Sequence, residues 1–215
     1  MHTITAETTV DGIHALPPEA LPFATCLHVR AFLLERAHGN VLVYSNGAVA
    51  QSELAEHGGA ERQYLNHWHE AIFAPDQVVA PLFVHEDDGA ETAERIPVRA
   101  TFSRRHNLDD DFEAIPIPGH TPGAAAYLWD NGQHRFLFTG DSVYLCDGEW
   151  VAAVLDSSDR GAYVESLDLM SGLEFDVLVP WAATATGPYM DPVDPDETRR
   201  RLVAIRDRVR EGSSR

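Results

Sequence analysis

Three short segments hold the residues best suited to chemistry. His67-Trp68-His69 follows a run of strand-forming residues at 62–65. In an extended backbone the i and i+2 side chains leave on one face, so both imidazoles point the same way and can share a cation. Alone the pair is weak evidence, because the chain carries 11 histidines. Pro118-Gly119-His120-Thr121-Pro122-Gly123 is more specific: two prolines and two glycines fix a turn that holds one histidine between two strand candidates. Phe138-Thr139-Gly140-Asp141-Ser142 reads as an apolar strand that stops at a glycine and presents a carboxylate at once. Taken singly, Asp141 is equally a turn former and His120 a hydrogen-bonding residue.

The elements around these segments follow from pattern and propensity. Strands at 28–35 and 41–44 flank His38-Gly39-Asn40, which reads as a hairpin. Residues 48–57 favour helix and end at Gly58-Gly59, a stop signal. Further strands are expected at 81–84, 114–117, 125–129 and 135–138, the last two joined by a tight turn at Asn131-Gly132. Tyr163, Leu167 and Met170 recur at helical spacing within 159–172, and 177–179 resembles a buried strand. A last helix starts near Asp194, with Pro195 in its first turn, Glu197 in a capping-box-like position and an apolar stripe of Leu202, Ile205 and Val209. Hairpins interspersed with helices indicate an α+β protein with mixed sheets covered by helices.

Composition narrows the partners. The 34 acidic and 16 basic side chains give a formal charge of −18, which repels nucleic acid and anionic membrane surfaces, so neither is expected as a partner. With no repeat and no linker, the 215 residues are expected to form one domain over 1–215, and a homo-oligomer stays open. Cys26 and Cys146 make no CxxC pattern and suit a structural role in a reduced cytosol. Residues 1–22 lack a basic segment followed by a long apolar one, so a cytoplasmic location is expected.

The HxH pair, the PGHTPG turn and the TGDS strand end, in this order, resemble the metallo-β-lactamase superfamily over about residues 25–180. The resemblance implies a four-layered αββα sandwich with metals at the edge between the two sheets. His67, His69 and His120 match the histidines of the first metal position, and Asp141 matches the carboxylate that bridges two metals. The departures are equally specific. Where the family has HxHxDH, this chain reads His67-Trp68-His69-Glu70-Ala71-Ile72, so Ala71 and Ile72 replace two ligands of the second metal, and no histidine follows His134. Three neutral imidazoles and one carboxylate suit a single ion, zinc or else iron or manganese, with an empty site as the alternative. Three histidines with an open position form an arrangement that lowers the pKa of bound water to roughly 7, with Asp141 as fourth ligand or holder of that water.

Resemblance to hydroxyacylglutathione hydrolases and lactonases implies a mononuclear hydrolase whose partner is a small-molecule substrate, an ester, thioester or lactone. Two other readings stay open: a metal-free, non-catalytic binding protein, and an iron sulfur dioxygenase using His67, His120 and Asp141 as a two-histidine, one-carboxylate triad. Glu70 is the nearest replacement carboxylate, although an extended backbone would point it away from His67 and His69. His85, followed by Glu86, Asp87 and Asp88, reads as the start of a solvated turn, with a supporting or substitute ligand at the same rim as the alternative, and Trp68, Trp181 and Tyr189 are candidates to line the pocket or else core or interface residues.

Overall fold

The computed structural model describes residues 11–213; the leader reading of residues 1–22 therefore lies partly outside the described residues. Two six-stranded sheets pack face to face. The first runs Ile13–Ala15, Phe32–Leu34, Val41–Val43, Arg62–Tyr64, Leu82–His85, Val98–Phe102 in spatial order. The second runs Asp191–Pro192, Val177–Pro180, Arg135–Gly140, Ala125–Asp130, Phe112–Pro116, His106–Leu108. Alternation along the second sheet shows why it lies in the middle of the molecule. Tyr127, Trp129, Phe136, Phe138, Val177 and Val179 enter the core between the sheets. Their neighbours Leu128, Leu137 and Leu178 enter a separate core under the helices Arg160–Ser171 and Pro195–Arg210. Both faces are buried, so these strands read as continuous apolar runs rather than alternating ones. On the far side, Leu82 and Val84 of the first sheet pack with Ala71 and Ile96. The layers are helix, sheet, sheet, helix, as the αββα expectation required.

Most expected elements form, with bounds shifted by their caps. Asp159 accepts from the Ala162 N–H at 3.0 Å, and Asp194 from the Glu197 N–H at 2.9 Å, each satisfying an orphan donor of the helix it starts. The helix expected at 48–57 is only Gln51–Glu56, because Ala50 at its start has no side chain to cap it. The Asn131-Gly132 turn is a four-residue loop: Asp130 pairs with Arg135, and the Asn131 side chain accepts from the Gln133 and His134 N–H groups.

The strand expected at 28–35 is two strands in different sheets. Ala24–Val29 pairs with Glu19–Leu21 and Ala182–Thr184, whereas Phe32–Leu34 pairs with Ile13–Ala15 and Val41–Val43. The break falls at Arg30, whose N–H donates to the Trp181 carbonyl at 3.0 Å. A third, five-stranded sheet results: Glu149–Val151, Tyr144–Cys146, Ala182–Thr184, Ala24–Val29, Glu19–Leu21. It closes over the end of the sandwich where the chemistry-bearing segments emerge.

Direction places those segments together. Phe112–Pro116, Arg135–Gly140 and Val177–Pro180 run the same way, and each delivers a segment from its C-terminal end: His120, Asp141 and Trp181. Tyr44 ties this edge to the first sheet. Its hydroxyl donates to the Val179 carbonyl at 2.6 Å and accepts from the Gly140 N–H at 2.8 Å, although its backbone is held at φ 70°, a region that large side chains disfavour. Tyr44→Phe leaves both backbone groups buried without that partner and is expected to lower stability by about 1–3 kcal/mol. A shift of the urea midpoint at unchanged slope reports this; no shift would mean that the sheet ends are held by other contacts.

Candidate metal centre

The loop after Arg62–Tyr64 is not extended. Trp68–Phe73 forms a 3₁₀ helix with His67 at its start, at φ −155°. Residues three apart eclipse in such a helix, so its three faces do three jobs. His67 and Glu70 are buried beneath it, His69 and Ile72 face a cavity, and Ala71 packs against the Leu82, Val84 and Ile96 cluster. Glu70 therefore does not point away from His67, as an extended backbone would have required. Its carboxylate is fully buried, accepts from the N–H groups of Asn66 at 2.8 Å, His67 at 3.2 Å and Ser45 at 3.2 Å, and lies 3.2 Å from His67 Nδ1.

The turn at 118–123 brings His120 against this loop. Asp88 joins the two: one oxygen accepts from the Trp68 N–H at 3.0 Å and the Thr121 hydroxyl at 2.7 Å, the other from the Gly123 N–H at 2.7 Å. Glu86 and Asp87 are exposed, as the solvated turn expected after His85 required, but Asp88 is 1% exposed and acts as a buried clamp. Among the turn's glycines, Gly119 sits at φ 144°, and a Cβ there would fall 2.5 Å from the Tyr163 Cα. At the third segment Gly140 has φ 56°, and a Cβ would lie 2.0 Å from Asn66 Oδ1. Close backbone approach is thus what makes PGHTPG and TGDS specific.

His67, His69 and His120 converge so that one ring nitrogen from each lies within 4.8 Å of the others. Ring centroids are 5.0, 4.7 and 5.1 Å apart, and each pair is nearly perpendicular, at 84°, 82° and 82°. Asp141 Oδ2 lies 3.6 Å from His67 Nε2 and 3.9 Å from His120 Nε2. His120 Nδ1 is 2.6 Å from the Ala153 carbonyl, which turns its Nε2 to the centre, where it meets His69 Nδ1 at 3.1 Å. All four residues expected at the site are brought together.

The donor set fits a divalent ion. Both ring nitrogens of His67 and Asp141 Oδ1 are buried with no hydrogen-bond partner among the described residues, Nδ1 having only the ion-pair approach of Glu70, and for Nε2 and Oδ1 this is costly unless a ligand satisfies them. Ligand atoms at about 2.1 Å from a tetrahedral zinc would be about 3.4 Å apart, close to the spacings here. Charge is arranged accordingly. Burial opposes a proton on His67, yet the Asp141 and Glu70 carboxylates outweigh it and raise its pKa to about 10. Burial and the neighbouring His67 and His120 lower His69 to about 3, and burial and His67 lower His120 to about 4. Burial would raise Asp141, but the neighbouring His67, His120 and His69 hold it below the usual carboxylate range.

Residues 31–182 match the metallo-beta-lactamase superfamily, most of the chain. The chain belongs to that superfamily. No curated protein sequence matches it. Among solved structures it is similar to the superfamily protein ST1585 from Sulfolobus tokodaii, at 17% identity and TM-score 0.62 over 92% of this chain and 87% of that one. It is also similar to a metallo-beta-lactamase from Hirschia baltica, at 13% identity and TM-score 0.67 over 93% and 95% of the two chains. A third is AidC, a dizinc quorum-quenching lactonase, at 11% identity and TM-score 0.53 over 78% and 79%. At these identities the likeness is one of fold.

The second-metal side of this superfamily member is apolar. Ala71 is turned into the core, Ile72 lines the cavity, and Trp181 follows the strand Val177–Pro180. The Trp181 indole N–H donates to the Ser45 carbonyl at 2.7 Å, which fixes the ring 5.5 Å from His67 at 80°. Of the aromatic candidates, Trp181 lines the cavity, Trp68 instead lies over His69 at 4.1 Å, and Tyr189 lies 6.1 Å from Phe32 in the inter-sheet core. Sequence reading missed Asp88 as a clamp and Glu70 as the partner of His67; the signal available for Glu70 was its three-residue spacing from His67.

Between about pH 4 and pH 10, an ion entering this centre displaces one proton, from His67, since His69 and His120 are already neutral. Apparent zinc affinity is therefore expected to fall about tenfold per unit as pH drops from about 8 to about 6, with one proton released per ion. Calorimetric titration in two buffers of different ionisation enthalpy measures both; a pH-independent affinity over this range contradicts a proton held on His67 before the ion enters.

Proposed function

We propose that this chain is a metal-dependent hydrolase of an uncharged ester or lactone with an apolar acyl group, acting through one ion held by His67, His69, His120 and Asp141. The observation that carries this reading is the cavity over the cluster, of about 590 Å³. His69, His120 and Asp141 contribute its polar floor, Leu21, Leu27, Ile72 and Trp181 are among its walls, and no arginine among the described residues lines it. Phe23, Ile72 and Leu155 carry the apolar surface out to the rim, at 80%, 45% and 41% exposure. An acyl chain is stabilised in such a cavity by about 0.8 kcal/mol per buried methylene, whereas a substrate carboxylate held away from the ion meets no arginine among the described residues to offset its desolvation. A glutathione thioester, with its carboxylates, is therefore a poor candidate among the substrates the family resemblance implied.

When bound, a divalent ion polarises a carbonyl oxygen and acidifies water. The chain's own residues set the rest. Glu70 and the Ala153 carbonyl hold His67 and His120 in orientation. Asp141 Oδ1, free of a hydrogen-bond partner among the described residues, is the acceptor that orients the attacking water. The walls exclude bulk solvent around the acyl group. His69, turned in to 3.1 Å from His120, favours three-histidine ligation over the two-histidine, one-carboxylate iron reading. AidC, described as a lactonase, supports ester-opening chemistry on this fold without assigning it.

Zinc-, manganese- and iron-loaded protein assayed on p-nitrophenyl esters of increasing chain length, acyl lactones and S-lactoylglutathione tests the reading. Expected are kcat/KM rising about fourfold per added methylene, slow turnover of the glutathione thioester, and loss of activity on chelation and in His120→Ala. No metal-dependent turnover across the panel would overturn it.

A further inference from the structure

We propose that His14, Glu35 and His57 form a second transition-metal site on the surface, separate from the cavity. One ligand atom from each lies within 4.8 Å of the other two. His14 Nε2 is 2.8 Å from Glu35 Oε1, His57 Nδ1 is 3.7 Å from the same oxygen, and the two rings stack at 3.7 Å and 27°. Three elements far apart in sequence meet here: the edge strand Ile13–Ala15, the residue after Phe32–Leu34, and the residue that ends the helix Gln51–Glu56.

Their backbones are fixed independently of the side chains. His14 is paired with Leu33 in the sheet, the Glu35 N–H donates to the Gly12 carbonyl at 2.8 Å, and the His57 carbonyl accepts from Asn40 Nδ2 at 2.8 Å. An ion would therefore find its donors already gathered and would need only to splay the two stacked rings toward itself. Two imidazoles and one carboxylate suit zinc, nickel, cobalt or copper and discriminate against magnesium and calcium, which prefer all-oxygen sets. The side chains are partly exposed, which leaves room for water to complete the coordination. The chain's charge of −18 favours cations at its surface. Bound there, the ion staples the N-terminal edge of the first sheet to the end of a short helix.

Full-length untagged protein, stripped with chelator, reloaded with zinc sulfate and desalted, tests the site by elemental analysis and thermal melting. His120→Ala, which lacks a ligand of the cavity centre, is expected to retain one zinc per chain and to melt higher with zinc than without. His14→Ala/His120→Ala and His57→Ala/His120→Ala are expected to lose both the ion and the zinc-dependent rise. Metal-free melting of the single variants His14→Ala and His57→Ala controls for folding and is expected to match wild type, because these are surface substitutions. Retention and melting unchanged by either surface substitution, or no zinc held by His120→Ala, overturns the site. Neither result bears on the hydrolase reading, which is assayed by turnover.

Discussion

A carboxylate with no access to water must be surrounded by donors, and Glu70 meets that demand with the N–H groups of Ser45, Asn66 and His67. Three donors from two loops cannot reach one side chain unless the chain turns sharply after Asn66, so the buried charge and the 3₁₀ geometry of Trp68–Phe73 require each other. The same carboxylate stands 3.2 Å from His67 Nδ1 and orients the ring whose other nitrogen faces the centre. Fold and site thus share one interaction: the group that shapes the loop also aims its first histidine.

The other connections extend this arrangement outward. Asp88 clamps the loop to the His120 turn. Asn66 joins it to the second sheet through the Ala125 N–H, 2.8 Å from the Asn66 carbonyl, and fills the space that only a glycine at 140 leaves open. Tyr44 then fixes the Gly140 N–H, immediately before Asp141. The loop, the turn and the strand end that carry the ligand candidates are each held by a buried polar group on a neighbouring segment, which is how a site keeps its geometry before an ion arrives.

The segments that bear the chemistry were legible in sequence because their constraints are local. Prolines and close-packed glycines at 118–123 and 140 announce a turn and a strand end whatever surrounds them. The strands of the second sheet and the two long helices were legible from apolar pattern and caps. Glu70 was misjudged because an HxH pair was given strand geometry, while its true direction depends on Ser45, which is distant in sequence. Asp88 sits in the acidic run Glu86, Asp87, Asp88, and only tertiary packing separates the buried member from the solvated ones. The third sheet was illegible because its strands are short and the 28–35 run divides between sheets at Arg30, where a hydrogen bond to Trp181 decides the matter.

Ile72 and Trp181 make one side of the cavity apolar while Ala71 is turned into the core, and the central proposal is therefore one ion on three imidazoles. X-ray absorption at the zinc edge measures this most directly, on His57→Ala protein so that only the cavity centre contributes. The account predicts about three imidazole nitrogens with one or two oxygens near 2.0–2.2 Å and no metal scatterer. A zinc–zinc vector at about 3.5–4 Å, or a first shell with fewer than two imidazoles, would contradict it.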